Sequence, residues 1–351
     1  MTGRGQSHPS FLKSVLLKPL VVPGVAEVLA ALTDVQASIF MCHRFSMPEL
    51  GVSGHDPATL RRNLAHLKKQ HYDLLSLQEL FRKLREGVPL KRAIAFTIDD
   101  GYIDHAKIAA PIFEEFDCPV TTFVATGFLD GKSWYWWDKL EYIFQGTKRN
   151  ELRARVGDRE VSYELDSADA RSTACQDLSM QCQDALETDR LACIRDLSHE
   201  ADVELPTTPP ARFAPLSWAA ARNLEKRGMT FGPHTVTHPV LSSMPDEQAE
   251  FEITESWRRL SAEVSQPVPV FCYPSGRDRD FGGREMAIVR RLGLLGAVAG
   301  QPGELRSAEF RESSMLPYRV PRFGYPDSLS HLLQCVSGLE TMKSRIRGTS
   351  A

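Results

Sequence analysis

The sequence is short of pairable cysteines. Its 351 residues hold seven, an odd number, and no two are spaced as Cys-x-x-Cys. A disulfide framework or a cysteine-based zinc site is therefore not expected. A reducing compartment, the cytoplasm, suits such a chain. An excess of either charge is also missing: 42 Lys and Arg against 45 Asp and Glu leave a net charge of -3. Nothing in that balance calls for nucleic acid. No apolar run reaches the ~18 residues that a bilayer span needs. The candidate, Phe11 to Leu32, is interrupted by Lys13, Lys18, Pro19, Pro23 and Glu27 and lacks a small-residue cleavage site. It reads as an amphipathic N-terminal extension over 1–36, with peripheral membrane contact left open. No internal repeat is apparent, and oligomeric state is not legible.

What is present is a recurrence of short β-type runs. "ASIFMC" begins at Ala37, "AIAFTI" at Ala93, "PVTTFVA" at Pro119, "MTFGP" at Met229, "VPVFCY" at Val268 and "LLGAVAG" at Leu294, with "LPYRVPRF" from Leu316 as a seventh. Nearly continuous apolar and β-branched runs suit parallel strands buried on both faces. Helix signals fall between them. Asp56-Pro57 reads as a cap followed by proline at the first helical position. Ser76 to Glu79 reads as a capping box with Gly87 as the stop. Ile108, Ile112, Phe113 and Phe116 make an apolar stripe, and residues 246–264 a charged amphipathic helix. The alternation predicts an α/β protein, a deformed (β/α)7-type barrel over 37–335, with a C-terminal tail over 336–351. Residues 145–214 show no convincing buried strand and read as a mostly helical insertion. There Cys175, Cys182 and Cys193, spaced by 7 and 11, read as small hydrophobes on one helix face.

In a parallel α/β barrel the reactive groups gather at the C-terminal ends of the strands. Three polar clusters fall there. Asp99 and Asp100 stand side by side before Gly101. One helix-capping aspartate would be ordinary, but two repel unless a cation offsets them. His234 and His238 stand four apart in "FGPHTVTHP". The β-branched residues between them and Pro239 favour a tight loop over a helix. Two histidines and an aspartate form a ligand set with open positions for a divalent ion, zinc foremost, with cobalt, nickel and manganese as others. Tyr273, Pro274, Ser275 and Gly276 form a turn that presents backbone N–H groups, as an oxyanion site requires.

"TIDDG", "HTVTH" and "YPSG", in that order, resemble the first three motifs of the polysaccharide deacetylases, the NodB-type carbohydrate esterases of family 4. "FMCHRF" (Phe40 to Phe45) and the aromatic tract around Trp134 to Asp138 resemble the exopolysaccharide-biosynthesis branch. The resemblance covers about 37–323, apart from the insertion. It implies hydrolysis of N-acetyl groups on a sugar, polysaccharide or precursor. Asp99 would then be the general base, and Asp100, His234 and His238 would hold the metal. Thr235 would brace the histidine loop, and the Ser275 N–H, with Tyr273 and Pro274 in the same turn, would serve the oxyanion and substrate.

Two family features are missing. Many members carry an arginine two residues before the motif-three proline, where this chain has Cys272. Many also carry a late Leu-x-His-Asp supplying the acid, where this chain has "LSHLL" around His331. His43, ending the first strand, is the candidate acid in its place. Arg322, ending the last strand, is the candidate partner for Asp99. Trp137 and Asp138 read equally as a sugar-binding platform and as an anchor for the insertion. His55, His66, His71 and His105 read as solvated. The alternatives are a metal-dependent amidohydrolase of small non-sugar amides and a degenerate carbohydrate-binding barrel.

Overall fold

The computed structural model describes residues 25–33 and 35–340. Most of the extension expected over 1–36 lies outside the described residues; its last part is a helix, Val25–Thr33. Residues 341–351 of the expected tail lie outside as well. Among the described residues no helix is long and apolar enough to cross a membrane. The chain divides into two compact units, one made of the stretches up to Asp130 and from Pro215, the other of Gly131–Ala214.

The first unit is the deformed (β/α)7 barrel. The strands of its ring are β1 (Ala37–Cys42), β2 (Ala93–Ile98), β3 (Val120–Val124), β4 (Met229–Pro233), β5 (Val270–Cys272), β6 (Gly296–Val298) and β7 (Phe323–Gly324), with two-residue strands Asp73–Leu74 beside β2 and Glu304–Leu305 beside β1. Parallel pairing runs from β1 to β2 over Ala37↔Ala93 to Cys42↔Ile98, then to β3 and β4. The Val268 N–H, just before β5, donates to Phe231 of β4 at 2.7 Å. β5 pairs with β6, a parallel bridge joins Val298 to Val320, and Phe323 of β7 pairs with Phe40 of β1. The ring closes on its first strand. Every residue of β2 and β3 is buried, which is why these runs carry no polar alternation.

Local chemistry sets the helices around it. Asp56 accepts the Thr59 N–H at 2.9 Å and Ser76 the Glu79 N–H at 3.2 Å, while Gly87 ends its helix at φ +69°. Two expectations shift. The seventh run begins with a 3-10 turn, Leu316–Tyr318, and only Val320 and Phe323–Gly324 pair. Pro317 and Pro321 have no N–H to donate to a ladder. The stripe after the Asp pair opens with a π-turn, His105–Ala109, before Ala110–Glu115. Pro111 falls in the first turn of Ala110–Glu115, where its missing N–H leaves no helix hydrogen bond unmade.

The second unit is larger and less helical than the insertion expected over 145–214. It starts at Gly131 and contains an antiparallel hairpin, Glu151–Val156 with Arg159–Glu164, turning at Gly157 with φ +59°. Leu152, Ala154 and Val156 point into a core with Leu140, Phe144, Leu178 and Ile194, while the residues between them face out. The three cysteines do not share one helix. Cys175 and Cys182 lie on Ala168–Gln183 and Cys193 on Glu187–Glu200.

In the barrel core Phe81 is fully buried and meets Phe310 edge to face, ring centroids 5.7 Å apart. Phe81→Ala is expected to lower the unfolding free energy by about 3–5 kcal/mol. Urea titration with an unchanged slope checks it; a loss below about 1 kcal/mol would mean the site collapses around the smaller side chain.

Candidate active site

The strand register sets the first pair of groups. The Asp99 N–H donates to the Cys42 carbonyl at 3.0 Å, extending the β1–β2 ladder by one step. His43 and Asp99 therefore leave neighbouring strands at the same level. Asp100 and Gly101 then take φ values of +85° and +89°. The left-handed turn is costly for a non-glycine residue. It lets two consecutive carboxylates serve two different partners.

Asp99 is met by Arg322. The guanidinium makes two parallel bonds to it, Nη1 to Oδ1 and Nη2 to Oδ2, both 2.8 Å. Its remaining donors reach the Thr97 hydroxyl at 2.9 Å, the Ala299 carbonyl at 3.0 Å and the Cys272 sulfur at 3.1 Å. Arg322 and Asp99 are both buried. Burial alone would raise the Asp99 carboxyl; the guanidinium beside it outweighs this and holds it well below the usual carboxylate range. Cys272 stands where many of the resembling proteins carry an arginine. Burial keeps it a thiol.

Asp100 faces the histidines. Its Oδ1 lies 3.7 Å from His234 Nε2 and 3.5 Å from His238 Nε2. Ligands about 2.0–2.1 Å from one tetrahedral ion would stand roughly 3.3 Å apart, so the spacing fits a shared cation. His234 Nδ1 lies 2.8 Å from the Cys272 carbonyl. A carbonyl only accepts, so Nδ1 carries the proton and Nε2 presents its lone pair. Burial lowers the pKa of His234, and burial with the neighbouring His234 lowers that of His238 further. Both shifts favour the neutral ring, the form that could ligate an ion. Burial, helped by the Asp99 charge, pushes Asp100 up to about 7. The other close acceptor group, Asp99, His234 and Cys272, suits an ion less, because Arg322 occupies both Asp99 oxygens.

The histidine loop is a strained turn. Thr235 and His238 have φ +67° and +63°, unusual for a β-branched residue above all. The Thr235 hydroxyl donates to the His234 carbonyl and accepts the His238 N–H at 3.0 Å. The Thr126 and Gly127 N–H groups donate to the Thr235 and Val236 carbonyls. From the helix Asp246–Glu263, buried Glu252 accepts from the Val236 and Thr237 N–H groups and the Thr237 hydroxyl. Sequence reasoning missed Glu252. The readable signal was an acid on the buried stripe formed by Ala249, Ile253, Ser256 and Leu260.

The third cluster is a turn at the end of β5. Ser275 and Gly276 have φ +61° and +66°. A Cβ on Gly276 would lie 2.3 Å from the Gly300 nitrogen, so only glycine fits. Ser275 is half-exposed and Pro274 buried. The Tyr273 side chain is buried. It stacks on Phe281 at 3.9 Å between centroids, and its hydroxyl donates to the Tyr318 carbonyl. Side chains alternate across a strand, and this one falls on the core side.

His43 is half-buried, and burial lowers its pKa to about 3 against the opposing pull of Asp99. His105, expected to be solvated, is instead fully buried with Nε2 2.6 Å from the His43 carbonyl. Asp104 next to it accepts from Arg44 Nε and the Phe45 N–H. The turn after the Asp pair thus holds the loop that carries His43. His331 is exposed on the helix Leu329–Val336. Trp137 and Asp138 belong to the second unit, Trp137 stacked on Tyr135 and Asp138 buried.

The model of the family described as polysaccharide deacetylase matches residues 184–295. That stretch holds His234 to His238 and Tyr273 to Gly276 but not Asp99 or Asp100. Among solved structures, the deacetylase PplD of Streptococcus pyogenes, in complex with acetate, is similar with a TM-score of 0.56 at 20% identity, over 86% of this chain and 98% of that one. IcaB from Ammonifex degensii is similar with a TM-score of 0.54 at 13% identity, over 86% and 97%. No curated protein sequence matches the chain. The family model spans less than half of the chain, and at these identities the likeness to the solved structures is one of fold: the barrel is similar to that of PplD and IcaB.

Removing Arg322 leaves a buried carboxylate unpaired. Arg322→Met is expected to cost about 3–5 kcal/mol at pH 7. The depressed Asp99 carboxyl contributes stability above its unfolded pKa of ~3.9, lost as pH falls through the lower folded value. The deficit of Arg322→Met should therefore shrink as pH falls below about 4. A deficit independent of pH, read by denaturant titration at several pH values, would count against this pairing energy.

Proposed function

We propose that the chain is a metal-dependent N-deacetylase that hydrolyses the acetamido group of an N-acetylated sugar or polysaccharide. The observation that carries the reading is one buried cluster with two differently served aspartates: Asp100 against two imidazoles, and Asp99 fixed by Arg322. Asp100, His234 and His238 would hold the ion. Zinc suits two imidazoles and a carboxylate, and would supply Lewis-acid activation of the water and the amide carbonyl.

The chain's own groups account for the proton movements. Asp99 accepts the proton of the attacking water. Its pairing makes it a weak base, but it keeps the acceptor ionised and in one orientation. The Ser275 N–H, in its left-handed turn, donates to the oxygen that gains charge as the carbonyl carbon becomes tetrahedral. His43 delivers a proton to the departing amine. Because it is neutral beforehand, that proton must reach it within the site, ultimately from the water that Asp99 deprotonates. Arg322 orients Asp99, and Thr235 braces the ligand loop.

Acetate release from N-acetylglucosamine oligomers tests this. Asp99→Asn is expected to lower kcat about 10²–10⁴-fold while metal content stays at the wild-type level. Asp100→Ala should lose both metal and activity. Undiminished release by Asp100→Ala would sink the mechanism, and release from small linear amides but not from oligomers would move the substrate class.

The metal reading also carries a pH dependence. With Asp100 pushed up to about 7, a proton competes with the ion below that pH. Apparent affinity for Zn2+ should fall about tenfold per pH unit below about 7 and flatten above it. Chelator competition between pH 5.5 and 8.5 checks this, and a flat profile would remove Asp100 from the ligand set.

A further inference from the structure

The loop that carries His234 and His238 cannot hold its shape from local preference. It places a threonine and a histidine in the left-handed region within four residues. Such strain persists only where the surroundings over-determine it. The Thr235 hydroxyl and the contacts from Thr126 and Gly127 hold one side of the loop. The other side rests on a single carboxylate.

Glu252 lies on the helix Asp246–Glu263 and is 4% exposed. Its Oε2 accepts the Val236 N–H at 2.7 Å and the Thr237 N–H at 2.9 Å; its Oε1 accepts the Thr237 hydroxyl at 2.6 Å. Every one of these donors lies between the two histidines. Two consecutive N–H groups aimed at one oxygen define the path of the chain between them. An aliphatic residue at this stripe position would satisfy the helix packing but would leave those donors without an acceptor.

The geometry points to Glu252 as a positioning residue for the metal site: it fixes the Val236–Thr237 segment and thereby the separation of His234 from His238. It touches neither the ligand atoms nor the reacting groups. Its effect is preorganisation, so that binding an ion does not first require the loop to be ordered. The inference rests on the reading of Asp100, His234 and His238 as ligands, and its test separates the two.

Metal-free wild type, Glu252→Gln and Thr237→Val are titrated with Zn2+ against a chromophoric chelator at 20 °C and pH 7.5. Circular dichroism and thermal midpoints of the metal-free proteins accompany the titration, with amide exchange at Val236 and Thr237. Glu252→Gln retains size and one acceptor oxygen, so it folds even where Glu252→Ala fails to. The expected result is a Kd for Zn2+ raised about 10–100-fold in Glu252→Gln. A smaller rise in Thr237→Val, faster exchange at the two amides, and unchanged circular dichroism are expected with it. Wild-type binding with an equal Kd in Glu252→Gln would overturn the positioning role and leave the metal site standing. A lowered thermal midpoint with an unchanged Kd would reduce Glu252 to a structural contact and overturn it likewise. A wild-type protein that binds no Zn2+ would instead overturn the reading of the ligands themselves.

Discussion

Much of this structure depends on how one buried guanidinium is used. Arg322 stands just before the last strand of the barrel, and its donors reach Thr97 and Asp99 at the end of β2, Cys272 of β5 and the Ala299 carbonyl after β6. The same side chain that ionises and orients Asp99 therefore ties four parts of the ring together. A charge buried this deeply is tolerable only with its partner and its other hydrogen bonds in place. One side chain thus serves both the closure of the barrel and the candidate site.

The second constraint is backbone strain. Asp100, Thr235, His238 and Ser275 all have positive φ, and all stand at the same rim. A regular strand sends consecutive side chains to opposite faces and cannot keep both at one rim. Left-handed turns can, and each is held by contacts specific to it: Arg322 and the histidines around the Asp pair, Glu252 and Thr126 around the histidine loop, Gly300 against the serine turn. The rigid parallel strands supply the frame against which such turns keep their shape.

Much of the barrel was legible in the sequence. Six of the seven runs were apolar or β-branched almost throughout, because a strand buried on both faces has no polar side to show. The hairpin in the second unit was harder to see. Leu152, Ala154 and Val156 do alternate with charged residues, but a short amphipathic hairpin within a charged stretch gives a weak signal. The three cysteines looked collinear because 7 and 11 are both near whole numbers of helical turns. Periodicity does not register the break between Gln183 and Glu187. His105 was misjudged because a residue near a functional motif gives no sign, in sequence, of which side of the strand or turn its side chain takes.

The sequence by itself determined the parallel α/β architecture, the presence of two carboxylates at one strand end and of two histidines at another, and the option of Arg322 as a partner from the last strand. The resemblance divided the two aspartates between a base and an ion ligand, but only the tertiary structure shows the contacts, Asp99 with Arg322 and Asp100 facing His234 and His238. That assignment depends on the φ of Asp100 and on side chains 134 to 223 positions away, and no local pattern encodes either. The contacts of Glu252 were decided at the same level. On its helix it is one more acid among several, and it acquires a purpose only when the fold lays two unpaired N–H groups of the histidine loop against its carboxylate.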